Sequence, residues 1–499
     1  MDYSSQASAN FINLTLNGAT DAIATVDGDQ NDTVRNVERV RGTDGADTLG
    51  GDNANNYLWG GAGNDTITGG GGSENRLFGE AGDDNFLGSA GQNIIDGGAD
   101  TDTVDYSAQA GVNFIDVSLN GSGTASVVID GAANDIVSNV ENIIATAGND
   151  IVSGDANANE LTGLAGDDVL EGRGGIDILD GGTDAFGDTV NYENAANGVV
   201  LSLDGGVATD DGDGANDTLI DIEHVIGSSS ADNITGSNEA NVIDGRDGDD
   251  TFISTAGTDT YEGDDGSDTI DYSAQAGVTS INVQLNTGIT STVTVNGSDN
   301  DTVRNIENVI GTAGNDVLQG DNAANNFQGG GGDDIVRGGG GSDILDGGTG
   351  TNTLLYTGHV GAVTVDMGNL TAGAFSVISG STTDTASNFT HFTGGQGNDN
   401  ITGDGQANTI LGQIGNDSIN GAGGDDIIRG EDGHDTLNGG DGDDQIFGGT
   451  GWDTFVGSAG ADTFDGGGGG VDSVNYLGQA GVNFIDITLN HGTDSIVIV

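Results

Sequence analysis

A nine-residue period runs through most of this 499-residue chain and limits what it can fold into. Between Gly394 and Asp465 an acidic or amide residue falls at Asp399, Asn408, Asp417, Asp426, Asp435, Asp444, Asp453 and Asp462. Two residues after each comes an apolar one: Ile401, Ile410, Ile419, Ile428, Leu437, Ile446, Phe455 and Phe464. Three further arrays keep the frame, at Asp150, Asn159, Asp168 and Asp177, at Asp232, Asn241, Asp250, Asp259 and Asp268, and at Asp316, Asn325, Asp334 and Asp343. The first array, from Asp47, slips by one residue near Glu74 and recovers at Asp84. A unit this short cannot bury an apolar face alone, so it must stack on its neighbours.

Tyrosine-led segments separate the arrays, opening at Asp2-Tyr3, Asp105-Tyr106, Asn191-Tyr192, Asp271-Tyr272, Leu355-Tyr356 and Asn475-Tyr476. They alternate apolar and polar residues, as in Val112-Asn113-Phe114-Ile115-Asp116-Val117, and the period of two reads as strand. A recurring phrase closes them: Asn31-Asp32-Thr33-Val34-Arg35-Asn36-Val37-Glu38 returns as Asn300-Asp301-Thr302-Val303-Arg304-Asn305-Ile306-Glu307. The chain therefore divides into repeats at 1–105, 106–191, 192–271, 272–355 and 356–475, with 476–499 beginning a sixth.

Composition narrows the partner. With 80 acidic residues, 9 basic ones (all arginine) and a net charge of -71, the chain lacks the basic patches that nucleic acid requires, and anionic membranes repel it. Its natural partner is a cation. No cysteine is present to staple it, and no apolar run reaches the ~18 residues that span a bilayer.

The unit reads G-G-x-G-x-D-x-U-x, with U apolar, as in Gly448-Gly449-Thr450-Gly451-Trp452-Asp453-Thr454-Phe455-Val456 and Gly60-Gly61-Ala62-Gly63-Asn64-Asp65-Thr66-Ile67-Thr68. Glycines admit positive φ, so the first six residues turn tightly and aim carbonyls at one spot, to which the aspartate adds a carboxylate. Such a set suits a hard cation taking six to eight oxygens at about 2.3–2.6 Å, and calcium suits it better than magnesium. The last three residues form a short strand with U inward.

These arrays resemble the RTX (repeats-in-toxin) nonapeptides of bacterial secreted proteins. The resemblance implies an all-β fold, a right-handed parallel β-roll or β-helix solenoid with calcium between stacked loops, two nonapeptides per coil. It also implies a division of ligands: one loop gives carbonyls from positions 2 and 4 plus its Asp, and the loop eighteen residues on gives positions 1 and 3 plus its own. The residues expected at the metal are Asp47, Gly61, Gly63, Asp65, Asp84, Asp102, Asp150, Asp168, Asp177, Asp232, Asp250, Asp259, Asp268, Asp316, Asp334 and Asp343. In the longest array they are Gly395, Gly397, Asp399, Gly412, Asp417, Asp426, Asp435, Asp444, Gly449, Gly451, Asp453 and Asp462. The second loop of each array has Asn instead, at Asn56, Asn159, Asn241, Asn325 and Asn408, and without glycine at the fourth position. These loops are expected to bind calcium weakly or not at all.

No catalytic constellation stands beside the repeats. The five histidines are scattered without H-E-x-x-H, and no G-x-S-x-G or cysteine nucleophile is present. Asp211-Gly212-Asp213-Gly214 opens like an EF-hand loop but fails its later spacing. Arg35, Arg39 and Arg41 are expected to pair with carboxylates, and Trp59 and Trp452 to pack on neighbouring coils.

Mutual repulsion of aspartates over a thin aliphatic core should keep the chain unfolded without calcium, so that binding and folding are one event. Affinities near 10⁻⁴–10⁻³ M, usual for extracellular modules, would delay folding until the chain is outside. At about 4.8 Å per coil and about 18 residues per coil, uninterrupted stacking would give a rod on the order of 100–130 Å. Both ends read as uncapped, which suggests a slice of a larger repeat protein, with head-to-tail association between copies as the other reading. The expected function is a calcium-dependent rod, stalk or fibre outside a bacterium or at its surface, exported by a type I, signal-peptide-independent route and not an enzyme. The alternative is the repeat region of a secreted enzyme or toxin.

Overall fold

The computed structural model describes residues 1–4, 10–28, 30–109, 111–370, 373–476 and 496–498. They form two compact units, Met1–Asp250 and Thr251–Val499. Every regular element among them is a β-strand. The start of the sixth repeat, expected to parallel Tyr106 to Ile129, lies largely outside the described residues.

Each nonapeptide forms one short strand from its last three positions, with the central apolar residue inward. Ser418–Asn420 is such a strand, and it pairs in parallel with Thr436–Asn438, Ile419 opposite Leu437. The intervening nonapeptide strand Thr409–Ile414 pairs with Ile427–Asp432 in the opposite sheet, Ile410 opposite Ile428. Two nonapeptides thus make one coil, and two parallel sheets enclose a core one side chain deep from each. Ile401, Ile410, Ile428, Leu437, Ile446 and Phe455 have no exposed surface. Phe464, near the end of the fifth array, is only half-buried. The slip in the first array is a 19-residue coil that leaves pairing intact, since Leu58 still faces Leu77 and Ile67 still faces Phe86.

The tyrosine-led segments are antiparallel three-stranded meanders built into the roll. In the second, Ile115–Ser118, Ala125–Ile129 and Ala132–Ser138 pair in sequence. The last strand then lies parallel to Asn93–Ala99 of the preceding array, and the first lies parallel to Ile151–Ser153 of the following one. Meanwhile the opposite sheet passes straight through, Thr103–Asp105 pairing with Asn142–Ile144. In the first unit eight single strands separate the first and second meanders and six separate the second and third. Both counts are even and strands alternate sheets, so successive meanders enter opposite sheets. The second unit repeats this: Ile281–Gln284, Ser291–Val295 and Asp299–Arg304 lie in one sheet, Val363–Asp366, Phe375–Ser379 and Thr382–Ser387 in the other.

In each of the five described meanders the leading tyrosine bonds to the third strand. Tyr106, Tyr192 and Tyr272 are buried, and their hydroxyls donate to Asp135 at 3.1 Å, Asp217 at 3.2 Å and Asp301 at 2.9 Å on the third meander strand. Tyr3 does the same to Asp32 at 3.1 Å, and Tyr356 to Asp384. The aspartate of the recurring Asn-Asp phrase therefore closes the segment that the tyrosine opens.

Surface charge is handled locally. Arg35 pairs with Asp21 and Arg41 with Glu80, whereas Arg39 lies over the Tyr57 ring at 4.7 Å. Trp59 stacks on Phe78 of the next coil with centroids 5.4 Å apart, and Trp452 packs on His434 at 5.7 Å.

Replacing Tyr192 by Phe leaves the Asp217 oxygen that faces it buried without its donor, at a cost of about 1–3 kcal/mol. At saturating calcium the urea midpoint of Tyr192→Phe should fall accordingly; an unchanged midpoint would show the bond to be incidental.

Candidate metal centres between stacked loops

The aspartates of the period form ladders. Asp417 donates its backbone N–H to Asp435 Oδ1 at 2.8 Å, and Asp435 does the same to Asp453 at 3.0 Å. On the other edge Asn408 donates to Asp426 at 2.8 Å and Asp426 to Asp444 at 2.9 Å. The same link recurs from Asp47 to Asp65, Asp65 to Asp84, Asp84 to Asp102, Asp150 to Asp168, Asp232 to Asp250 and Asp316 to Asp334. One carboxylate oxygen is thus committed to holding adjacent coils in register.

The second oxygen is not. Oδ2 of Asp65, Asp84, Asp102, Asp168, Asp177, Asp334 and Asp343 is buried without a hydrogen-bond partner, as is that of Asp417, Asp426, Asp435, Asp444 and Asp453. None of these residues is more than 2% exposed. None of the arginine ion pairs among the described residues involves them. A buried carboxylate oxygen left so costs several kcal/mol unless a cation meets it.

Space for that cation is visible at the glycines. A Cβ on Gly430, the first motif position, would overlap Asp435 Oδ2 and lie 2.6 Å from the Gly448 carbonyl oxygen eighteen residues on. Gly448 repeats this with Asp453 Oδ2 and the Gly466 carbonyl at 2.8 Å, and Gly412 with Asp417 Oδ2 and the Gly430 carbonyl at 2.9 Å. At the fourth position a Cβ on Gly451 would overlap the Gly433 carbonyl oxygen of the preceding coil. Glycine serves here as absence of a side chain where oxygens converge, and φ of +108° at Gly449 and +137° at Gly451 turns the loop around them. The donors are carboxylate and carbonyl oxygens, a hard set without nitrogen or sulfur, which fits calcium. When bound, calcium supplies the positive charge that the ladders lack.

Burial, reinforced by neighbouring carboxylates, pushes these acids upward. Asp65 rises to about 8, with Asp84, Asp47 and Glu80 adding repulsion. Asp168 and Asp435 rise to about 7 for the same reasons, and Asp426, desolvated and facing Asp444, Asp404 and Asp425, also reaches about 7.

The predicted residues fall into distinct settings. The leading aspartates are satisfied within their own loops: Thr146 N–H donates to Asp150 Oδ2 at 2.8 Å and its hydroxyl to Oδ1 at 3.0 Å, with Thr43, Ser228 and Thr312 repeating this at Asp47, Asp232 and Asp316. Gly395 N–H donates to Asp399 at 2.7 Å. Asp250, Asp259 and Asp268 are buried, Asp259 accepting the Tyr261 hydroxyl at 3.1 Å. Asp462 is half-buried and accepts the Ser458 hydroxyl at 2.9 Å. Gly61 and Gly63 have φ of +127° and +92°.

Four of the five second-loop asparagines use both ends of the amide, whereas Asn56 donates Nδ2 to the Ala54 carbonyl at 2.7 Å and keeps a buried Oδ1 without a hydrogen-bond partner. Asn159 Oδ1 accepts the Asp155 N–H at 2.8 Å, and its Nδ2 donates to the Glu141 carbonyl at 2.7 Å. Asn325 and Asn408 do likewise with the carbonyls of Glu307 at 3.0 Å and Thr390 at 2.9 Å, and Asn241 with that of Glu223 at 2.8 Å.

Several ladder members lie outside the motif. Asp102 donates to Glu141 Oε2 at 2.9 Å and Asp268 to Glu307 Oε2 at 3.0 Å, so the glutamate of the recurring phrase replaces aspartate at the linker. Asp135, Asp217 and Asp384 accept ladder N–H groups from Asn93, Asp177 and Asp343. Asp188 and Asp472 follow inserted residues that break the frame, and Asn75, Asn93 and Asn352 replace Asp. For the glutamates the phrase was the available signal, since Glu141, Glu223 and Glu307 lie 18 residues before Asn159, Asn241 and Asn325; its aspartates lie 40 to 42 residues from the ladder residues that reach them.

Because these carboxyls titrate higher in the roll than the ordinary value near 4, the metal-free roll gains stability from them below pH ~4 and loses it as pH rises through about 6 to 8. Calcium must displace those protons, so its requirement should rise as pH falls through the same window. Circular dichroism in chelator should show more β-structure at pH 4 than at pH 8; the reverse order would contradict this origin of the shifts.

The family comparison agrees with the geometry. The family described as RTX calcium-binding nonapeptide repeat matches residues 41–104, 144–179, 226–274, 305–354 and 393–470 through overlapping copies, together more than half of the chain. No curated protein matches the chain. Among solved structures, the extracellular lipase LipA from Serratia marcescens matches at 16% identity and a TM-score of 0.11, over 52% of this chain and 38% of that one. The chain spans well under half the length of that lipase. The repeats and their stacking place this chain in the RTX calcium-binding nonapeptide-repeat family, with many calcium ions as its cofactor.

Proposed function

We propose that the chain is a calcium-stiffened structural segment of a secreted protein, serving as a rod, stalk or fibre outside the cell. The observation that supports this is the continuity of the ladders through the linkers. Within the first unit Asp102 N–H reaches Glu141, Asp177 N–H reaches Asp217, and Ile115 N–H reaches Asp150, each across a meander boundary. Within the second, Asp343 N–H reaches Asp384 and Val363 N–H reaches Asp399. Linkers joined in this way transmit force from array to array, where flexible spacers would absorb it.

At residue level, the ions sit beside the aspartates whose Oδ2 is buried and unpartnered, with carbonyls of adjacent coils completing each shell. The leading aspartates, already met by the second residue of their own loops, and the Asn loops act as transitional coils. Low cytosolic calcium leaves the chain unfolded for export, and extracellular calcium near the affinity usual for such modules folds it outside.

Small-angle scattering tests the rod. In chelator the radius of gyration should be about 80 Å, and in calcium about 30–40 Å, as for a rod on the order of 100–130 Å; a compact globule of this length would give about 23 Å. A calcium value near the last figure, or no change, would sink the reading. Calcium counting tests the ligands: Asp435→Asn should lower the number of ions bound per chain, and Asp150→Asn should not. Equal losses would show that the two classes of aspartate are not distinct.

A further inference from the structure

Outward residues at the ends of adjacent strands form rows, and one such row differs between two repeats. In the second repeat parallel register sets Ser118 beside Ser153 and Ser153 beside Glu171. In the fourth it sets Gln284 beside Gln319 and Gln319 beside Arg337. The second repeat closes its row with its own side chains. Arg173 pairs with Glu171 Oε2 at 3.3 Å and donates to Ser118 Oγ at 2.7 Å and to the Gly154 carbonyl at 3.1 Å. Asn194 donates to the other Glu171 oxygen at 2.8 Å.

The fourth repeat has none of these closing groups. Counted along the array, Arg337 stands in place of Glu171 and Gly339 in place of Arg173; counted from the leading tyrosine, Gly358 stands in place of Asn194. A groove enclosing about 660 Å³ opens there, between the turn that follows Gln284 and the turn that follows Tyr356. His359, edge-on to the Tyr356 ring at 6.5 Å, forms the far wall. The one acid of the groove is engaged within the chain, Asp321 accepting the Ala323 N–H at 2.8 Å and the Thr287 hydroxyl. Its guanidinium is not. Eight of the nine arginines pair with a carboxylate or lie over an aromatic ring, and Arg337 does neither. The side-chain amides of Gln284 and Gln319, in the same row, also have no hydrogen-bond partner among the described residues.

We infer that this groove binds a saccharide that carries one carboxylate, as a free acidic sugar or as the end residue of a glycan. A free guanidinium in a fixed row holds a carboxylate through two parallel hydrogen bonds. Carboxamides donate and accept side by side, which suits the hydroxyls of a sugar ring. Ile289, 66% exposed at the lip, offers an apolar surface to the C–H face of the ring. One free cation sets one negative charge on the ligand, and the net charge of -71 opposes the approach of a polyanionic chain. The second repeat cannot bind in this way, because Arg173 already occupies the equivalent space.

The test is calorimetric titration of the full chain at fixed, saturating calcium and pH 7.5. Glucuronate and N-acetylneuraminate serve as the acidic probes, glucose as the neutral one and polygalacturonate as the polyanion. Wild type should bind at least one acidic monosaccharide about tenfold or more tightly than glucose, the scale of one charge-assisted pair. Arg337→Gln and Arg337→Glu should each lose that preference while calcium uptake and circular dichroism stay unchanged. Arg429→Gln, an equal loss of charge in the fifth array, should keep it. Failure of both acidic sugars to bind, equal binding of glucose, or binding of the polymer alone would overturn the site. So would a preference kept in both Arg337 variants or lost in Arg429→Gln. Calcium uptake is read separately in every arm, so that loss of the groove and loss of the calcium-dependent roll are told apart.

Discussion

One oxygen per aspartate governs this structure. Oδ1 of a ladder carboxylate accepts a main-chain N–H from the coil before it, and Oδ2, a little over two ångströms away, is shut from water with nothing to meet it. The first bond sets the register of the coils. The second makes that register unaffordable at neutral pH unless a cation arrives. Ordinary solenoids hold together through apolar cores, but this core is one side chain deep from each sheet. In the proposed function, metal binding is accordingly a condition of the stacking.

The glycines follow from the same constraint. At the first motif position a methyl group would occupy the space in which Asp435 Oδ2 and the Gly448 carbonyl converge. At the second, Glu431 at +72° and Gln413 at +78° are left-handed without being glycine, whereas Thr43, Thr146, Ser228, Thr312 and Gly395 of the leading loops are not left-handed. The first glycine is thus fixed by close approach, and the second position tolerates side chains that point outward at some conformational cost.

The period made the coil legible, since nine residues place U and Asp two apart in every strand. The parallel pairing at eighteen residues and the inward isoleucines follow that period directly. Other features were hidden for physical reasons. Asp188 and Asp472 lie beyond insertions, and a loop can lengthen outward without disturbing the strand that follows it. The reversal of strand order in the meanders could not be read from alternation alone, which marks strands but not their neighbours. The division between satisfied and unsatisfied aspartates depends on the main-chain N–H of the second motif position, which reaches Oδ2 at Thr146 and at Gly395 alike and shows only once the turn is built. Arg39 over Tyr57 likewise depends on which coil lies above it.

The proposed stacking requires that the ladder amides be held by metal-loaded carboxylates. Hydrogen exchange of the peptide spanning Asp399 to Asp453, with and without calcium at pH 7.5, addresses this most directly. The backbone amides of Asp417, Asp426 and Asp435 should be strongly protected in calcium and exchange within seconds in chelator. Equal protection in both conditions would mean that the coils stack without the ion and would contradict calcium-dependent stacking.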